Sequence, residues 1–201
     1  MSVGPVVTAA VEGIIDEAVV RRLLVEVDAV PGVVYGKNGK PDLRRRIDGY
    51  NNAARHGPWL VLVDLNNDAD CAPVLRRDWL PQPAAGLCFR VAVRQVEAWL
   101  MGDSETLARY LGVARSRIPD DPERLPNAKA EMVDIARRSR MRAIREDMVP
   151  RPGSGRVVGP AYASRLIEYT QRYWRPEIAA QRADSLRRTI DCLRRLVGAA
   201  R

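Results

Sequence analysis

Four short apolar runs mark the first half of the chain. Each is rich in β-branched residues and ends at polar or turn-forming residues: residues 5–11, 32–35, 60–63 and 87–93. Runs of this length and composition are typical of buried strands. The stretches between them have helical spacing of apolar residues, at 14–27, 41–55 and 71–80. Strands that alternate with helices predict an α/β fold, with a parallel-rich sheet of about four strands flanked by helices.

The second half of the chain has helical patterns only. We predict helices at residues 94–101, 104–111, 127–147, 161–173 and 179–197. We therefore divide the chain into an α/β core, residues 1–103, and a C-terminal helical extension, residues 104–201. A domain usually has about 100–200 residues, so we expect the extension to pack on the core as one unit.

The composition argues against several classes of protein. No apolar run approaches the roughly 20 residues of a membrane span, and the N-terminus lacks the features of a signal peptide. We therefore expect a cytoplasmic location and no membrane partner. The three cysteines are odd in number and none has C-x-x-C spacing, which argues against a disulfide scaffold and a zinc ribbon. A single histidine, His56, excludes mechanisms that need two.

The charge balance makes nucleic acid a plausible partner. The chain has 33 Lys and Arg against 25 Asp and Glu, a formal charge of +8, and nearly all of its cations are arginines. Arginine binds phosphate through a planar fork of donors. Solvated helix faces explain the same composition equally well. The candidate nucleic-acid contacts are two lysines of a glycine-rich loop and three residues of the basic helix that follows residue 126: Lys37, Lys40, Lys129, Arg137 and Arg138.

Acidic side chains follow two of the predicted strands. Glu12 comes directly after the first strand and Asp64 directly after the third. The carboxyl ends of parallel strands lie at the same edge of a sheet, where α/β proteins bind their ligands. Neighbouring strands are about 5 Å apart, so Glu12 and Asp64 could together hold Mg²⁺ or Mn²⁺. Such an ion can activate a water and stabilise charge on a phosphoryl oxygen.

Four further residues are candidates for the same site. Asp16 lies one helical turn after the first acid, and Asn66 and Asp68 follow the third strand. This loop also has the composition of an ordinary turn. Glu97 follows the fourth strand and could be a further carboxylate over the site, although an acid near a helix start explains it equally well.

At these residues the chain resembles the Toprim superfamily. The Toprim signature is a strand that ends in Glu-Gly, here Val11-Glu12-Gly13, and a later strand that ends in D-x-D. Residues 11–17, VEGIIDE, look most like the OLD-type nucleases. Residues 90–103 are similar to a bacterial Toprim-like family of unknown function, as are 158–162, 174–176 and 185–186. The Toprim match covers about the first half of the chain, and the narrower family match covers most of it.

The resemblance implies a divalent-metal-dependent phosphodiesterase or nuclease. The metal, Mg²⁺ or Mn²⁺, would be held by residues of the two strand ends: Glu12, Asp16, Asp64, Asn66 and Asp68. The catalytic set would be Glu12, Asp64 and Glu97. Members of the narrower family look like companions of ATPases in mobile or defence loci, which implies an ATPase partner. The protein could also form an oligomer.

One residue departs from the Toprim pattern. Asn66 stands where D-x-D has its second acid, which removes one negative charge from the site. Asp68 then replaces the missing acid, or the site holds one ion, or catalysis has been lost. The alternative function is therefore a non-catalytic nucleic-acid-binding or regulatory subunit of an ATPase complex.

Overall fold

The computed structural model describes residues 4–200. Four strands form one sheet, and all three neighbouring pairs are parallel. The strands are β1 (Val6–Val11), β2 (Val30–Gly36), β3 (Trp59–Asp64) and β4 (Leu87–Ala92). Their order across the sheet is β2-β1-β3-β4, so β1 and β3 lie side by side at its centre. The α/β fold expected from the apolar runs is confirmed.

Helices cover both faces of the sheet, and loops and two short 3-10 turns, Arg115–Arg117 and Pro122–Arg124, connect the elements. The first five helices are α1 (Ile14–Glu26), α2 (Lys40–Arg45), α3 (Ile47–Ala53), α4 (Ala72–Trp79) and α5 (Val96–Gly102). The remaining ones are α6 (Ser104–Leu111), α7 (Ala128–Arg137), α8 (Arg142–Met148), α9 (Tyr162–Arg172), α10 (Pro176–Ala179) and α11 (Asp184–Ala199). No helix in residues 4–200 is both long enough and apolar enough to cross a membrane.

Two of the predicted helices are each broken into two. The helix predicted at 41–55 is α2 and α3, because the amide of Arg46 bonds to the carbonyls of both Asp42 and Leu43, which tightens and ends the first helix. The helix predicted at 127–147 is α7 and α8. Here the Ser139 hydroxyl donates to the carbonyl of Leu111 and accepts from the amide of Met141 at 2.9 Å. Such side-chain bonds compete with the helical pattern.

Each face of the sheet has its own apolar core. One core packs α2, α3 and α4 against alternate residues such as Val61 and Phe89. The other packs α1 and α5 together with the C-terminal helices, and includes Leu62, Leu166 and Leu193. This second core contains residues from both sides of position 103, so the C-terminal helices bury the sheet face that the α/β part leaves open.

A disulfide between Cys88 and Cys192 joins β4 to α11 across this second core. The remaining cysteine, Cys71, is free and exposed. Sequence spacing does not reveal this pair, because 104 residues separate the two cysteines.

A buried ion pair fixes the junction between the core and the extension. The Asp103 carboxylate is 0% exposed and accepts two bonds from the Arg175 guanidinium, at 2.7 and 2.9 Å. It also accepts from the amide of Arg175 at 3.1 Å. Asp103 precedes the first residue of α6, but its side chain makes no capping bond to that helix. The carboxylate therefore ties the start of α6 to the segment before α10.

We expect Asp103→Ala to lower the free energy of unfolding by about 2–3 kcal/mol. Breaking a fully buried pair costs about 3–5 kcal/mol, and the Arg175 side chain is 46% exposed, so water partly replaces the lost acceptor. Urea unfolding measures the change. Glu105→Ala is the matched control, since Glu105 contacts Arg175 at 3.4 Å from a side chain that is 66% exposed. Equal effects of the two substitutions would contradict the assignment.

Candidate functional site

Glu12 and Asp64 meet at the carboxyl edge of the sheet. The amide of Asp64, at the end of β3, donates to Glu12 Oε1 at 2.7 Å. Glu12 follows β1 and precedes Gly13, which leads into α1. A Cβ at residue 13 would lie 3.1 Å from Asp16 Oδ2, so glycine allows the close approach of Asp16 to this turn.

Glu97 reaches the same place from α5. Asp64 Oδ1 accepts from the amide of Val96, the first residue of α5, at 3.0 Å. The next residue, Glu97, is 1% exposed. Its Oε1 accepts from the Tyr162 hydroxyl at 3.2 Å and lies 3.7 Å from Lys129 Nζ. The loop from β4 to α5 therefore brings a further buried carboxylate to the end of β3.

Two oxygens of this group have no protein partner. Asp16 Oδ1 and Glu97 Oε2 are buried and accept no hydrogen bond from the described residues. A buried acceptor without a donor is costly, and more so when it is charged. Glu12, Asp16, Asp64 and Glu97 are hereafter called the acidic cluster.

The carboxylates of the acidic cluster repel one another. Burial raises the pKa of Glu12 above its usual value, although the bond from the amide of Asp64 opposes this. Burial, followed by the charges of Glu12 and Glu97, raises the pKa of Asp16 to about 7. Burial and the other three carboxylates raise the pKa of Asp64 well above its usual value. A proton or a cation is therefore needed to hold the cluster together.

Two lysines of the predicted nucleic-acid set border the acidic cluster. Lys129, at the start of α7, lies beside Glu97. Lys40, at the start of α2, forms a salt bridge with Asp68 and donates to the main-chain oxygens of Asp64 and Leu65. Both cations therefore lie beside the acids at this edge of the sheet.

The other three members of that set lie elsewhere. Lys37 forms a salt bridge with Glu17 at 3.0 Å. Arg137 pairs with Asp134 at 2.8 Å, and Arg138 is exposed just after α7. Both lie at the far end of α7 from Lys129, a distance of about 12 Å at 1.5 Å per residue.

Asn66 and Asp68 are placed beside the acidic cluster but are bonded elsewhere. Asn66 has a left-handed backbone, with φ of 50°, and its side-chain oxygen accepts from Gln95 Nε2 at 3.0 Å. Gln95 Oε1 in turn accepts from the amide of Lys129 at 3.0 Å. The Asp68 side chain is 50% exposed and paired with Lys40. Asn66 therefore holds the loop to α5 and α7, and Asp68 lies at the rim.

Sequence reasoning gave no role in the site to Gln95 or Tyr162. Gln95 connects the loop after β3 to α7, and Tyr162 orients Glu97. Burial, followed by the charge of Glu97, raises the pKa of Tyr162, so its hydroxyl remains a donor. The one signal in the sequence was that both residues lie in stretches that carry the family resemblance, 90–103 and 158–162.

The donor chemistry of the acidic cluster suits a hard divalent cation, because all its side-chain donors are carboxylate oxygens. The geometry is incomplete. Within residues 4–200, no group of three or more His, Cys, Asp or Glu side chains is arranged to hold a metal ion. Glu12 Oε1 and Asp64 Oδ1 already accept main-chain amides. The carboxylate oxygens of the cluster are thus ligands of the type that Mg²⁺ or Mn²⁺ prefers. The carboxylate side chains must rotate before they can coordinate the ion together.

The chain matches no protein-family model, no curated protein and no solved structure.

Proposed function

We propose that the protein is a divalent-metal-dependent, Toprim-like phosphodiesterase that cleaves nucleic acid. The observation that supports this is the acidic cluster: four carboxylates at the carboxyl edge of two central strands, two of them with buried oxygens that lack a donor. Buried anions in such a group are stable only when protonated or bound to a cation. A divalent cation satisfies the free oxygens and removes the mutual repulsion.

The residues of the site take distinct roles in this proposal. When bound, Mg²⁺ or Mn²⁺ would supply an activated water and would stabilise charge on the phosphoryl oxygens. Glu12 and Asp64 would hold the metal, Asp16 would add a further negative charge beside it, and Glu97 is oriented by the Tyr162 hydroxyl.

Positive charge at the rim would bind the substrate. Lys40 and Lys129 would donate to the phosphate groups next to the cleaved bond, since they are the lysines that border the cluster. A phosphate that paired with Lys40 would leave Asp68 free to supply the negative charge that Asn66 lacks. Lys37, Arg137 and Arg138 extend the basic surface and contribute a salt-dependent part of the binding.

A cytoplasmic location belongs to the same proposal. The Cys88–Cys192 disulfide is the observation against it, because cytosolic proteins rarely keep a disulfide.

Cleavage assays test the proposal directly. Purified protein is incubated with plasmid DNA, single-stranded DNA and single-stranded RNA in the presence of Mg²⁺ or Mn²⁺. We expect cleavage of at least one substrate, its loss in EDTA, and its recovery when metal is added in excess. Failure to cleave any of these with either metal would contradict the proposal for the isolated chain.

One set of contacts favours a second function, a non-catalytic nucleic-acid-binding or regulatory subunit of an ATPase complex. The Asn66 side-chain oxygen accepts from Gln95, and the Asp68 carboxylate is paired with Lys40 at the rim, so both side chains are engaged outside the acidic cluster. In this case the raised pKa of Asp16 allows the cluster to persist as a protonated, metal-free group. Calorimetry separates the two functions, because absence of Mg²⁺ binding at millimolar metal favours the regulatory subunit. A copurifying ATPase would support it directly.

A further inference from the structure

A groove runs along the outer edge of β4, between α4 and α11. Its volume is about 850 Å³, and its walls come from the loop after β3, from α4, from β4 and from α11. β4 is the last strand in the sheet order, so this edge has no further strand beside it within residues 4–200. Sites for small organic ligands are commonly about 300–1,000 Å³, and the groove lies within this range.

Arginines from three separate elements line the groove. Arg76 comes from α4, Arg90 from the middle of β4 and Arg195 from α11. Within residues 4–200 none of the three forms a salt bridge or donates a side-chain hydrogen bond, and the Nε atoms of Arg76 and Arg90 are buried without an acceptor. We call these three residues the arginine triad.

The acids of the groove do not neutralise the arginine triad. None of the four acids that line the groove forms a salt bridge with the triad: Asp184 pairs with Arg187 and Arg188, Asp191 pairs with Arg187, and Asp70 forms no salt bridge within residues 4–200. Glu123 accepts from the Ser185 hydroxyl.

The arginines of the triad repel one another, because no acid is paired with them. Burial, followed by the charges of Arg76 and other arginines, lowers the pKa of Arg90 to about 10.

A simpler explanation covers only one of the three arginines. A charged residue in an edge strand prevents the strand from pairing with another chain, and Arg90 fits that role. This explanation gives no reason for Arg76 and Arg195 to converge on the same groove from the two flanking helices. An anion that enters the groove gives acceptors to all three.

We propose that the groove binds a ligand through its phosphate groups, as a free nucleotide or as the phosphorylated end of a nucleic-acid strand. Guanidinium groups bind phosphate by paired, charge-assisted hydrogen bonds, and a dianionic phosphate offsets most of the charge of three arginines. The groove has room for a nucleoside beside the phosphate. The inference does not depend on the acidic cluster, on a metal or on catalysis.

Calorimetry in EDTA tests the groove separately from the proposed nuclease activity. The probes are ADP, a 5′-phosphorylated pentanucleotide and the same pentanucleotide with a 5′-hydroxyl. Binding of ADP alone identifies a nucleotide site. Binding of the phosphorylated strand at least about 10-fold more tightly than the hydroxyl strand identifies a strand-end site. If ADP fails to bind at about 1 mM and the two strands bind equally, the inference is overturned.

Charge-neutralising variants locate the binding. We expect Arg76→Gln and Arg195→Gln each to weaken the binding of the successful probe by about 10-fold or more, without lowering the melting temperature, because each removes one of three repelling charges. Arg109→Gln is the matched control, since it removes the same charge from an exposed pair with Glu105 on α6. Wild-type affinity in both triad variants, or an equal loss in the control, overturns the inference.

Discussion

Glu12→Gln and Asp64→Asn are expected to lower metal-dependent cleavage by about 10²–10³-fold each. Both substitutions keep the size of the side chain and remove one negative charge at the point where β1 and β3 meet, where the amide of Asp64 lies 2.7 Å from Glu12 Oε1. Loss of one anionic metal ligand removes several kcal/mol of transition-state stabilisation, and each 1.4 kcal/mol is about tenfold in rate. The measurement is kcat/KM across a titration of Mg²⁺ or Mn²⁺.

The control for these variants is Asp70→Asn. Asp70 is an exposed acid of the same loop and lies outside the acidic cluster, so we expect its activity within about threefold of wild type. The neutral variants should fold, because each relieves repulsion among buried carboxylates. Cleavage by Asp64→Asn at the wild-type rate would remove the acidic cluster from the mechanism, and an equal loss in Asp70→Asn would point to the loop as a whole.

Three of the strands, β1, β3 and β4, could be predicted because they are largely buried, whereas only Val34 of the edge strand β2 is buried. A largely buried strand is a continuous apolar run, and the run at 60–63 predicts β3 (Trp59–Asp64) to within one residue. The helix breaks could not be predicted, since the break before α8 depends on Ser139 bonding to Leu111, which is 28 residues away in sequence. Contacts of this kind have no local signature in one sequence.

The acidic cluster, like the fold, could be predicted in part from the sequence. Glu12 and Asp64 follow predicted strands, and parallel strands bring such residues to one edge, so their meeting follows from topology. The contact between Glu97 and Tyr162 does not follow from topology, because Tyr162 lies 65 residues later on a helix from the extension. The arginine triad left a single local sign, Arg90 inside the otherwise apolar run LCFRVA of β4. Arg76 and Arg195 lie on helices whose arginines look, in the sequence, like ordinary solvent-exposed charges.

Asp16→Asn is expected to raise the stability of the metal-free protein at pH 8 by about 2–4 kcal/mol. In the unfolded chain the Asp16 carboxyl titrates near its usual value of about 4. In the native protein, burial and the charges of Glu12 and Glu97 raise its pKa to about 7. Between these values the native state keeps a proton that the unfolded state has lost, so the stability of the wild type falls as the pH rises from about 4 to 7.

Urea unfolding in EDTA at pH 4.5 and pH 8 measures this loss. The difference between the wild type and Asp16→Asn isolates the contribution of Asp16, because groups with lowered pKa such as Asp103 have the opposite pH dependence and cancel between the two proteins. Asp134→Asn, a change at an exposed acid of α7, is the control and should leave the pH dependence unchanged. Parallel curves for the wild type and Asp16→Asn would show that the carboxyl is not buried among like charges.

Added Mg²⁺ turns the same experiment into a test of the metal. A ligand that binds only the native state stabilises it by an amount set by its concentration relative to Kd, about 2.7 kcal/mol at a hundredfold excess. At pH 8, above the raised pKa of Asp16, we expect Mg²⁺ to stabilise the wild type more than Asp16→Asn. Equal stabilisation of the two proteins would mean that the ion binds elsewhere. No stabilisation of either, together with the expected loss of wild-type stability between pH 4.5 and pH 8, would mean that protons and not the ion stabilise the cluster, and would favour the regulatory function.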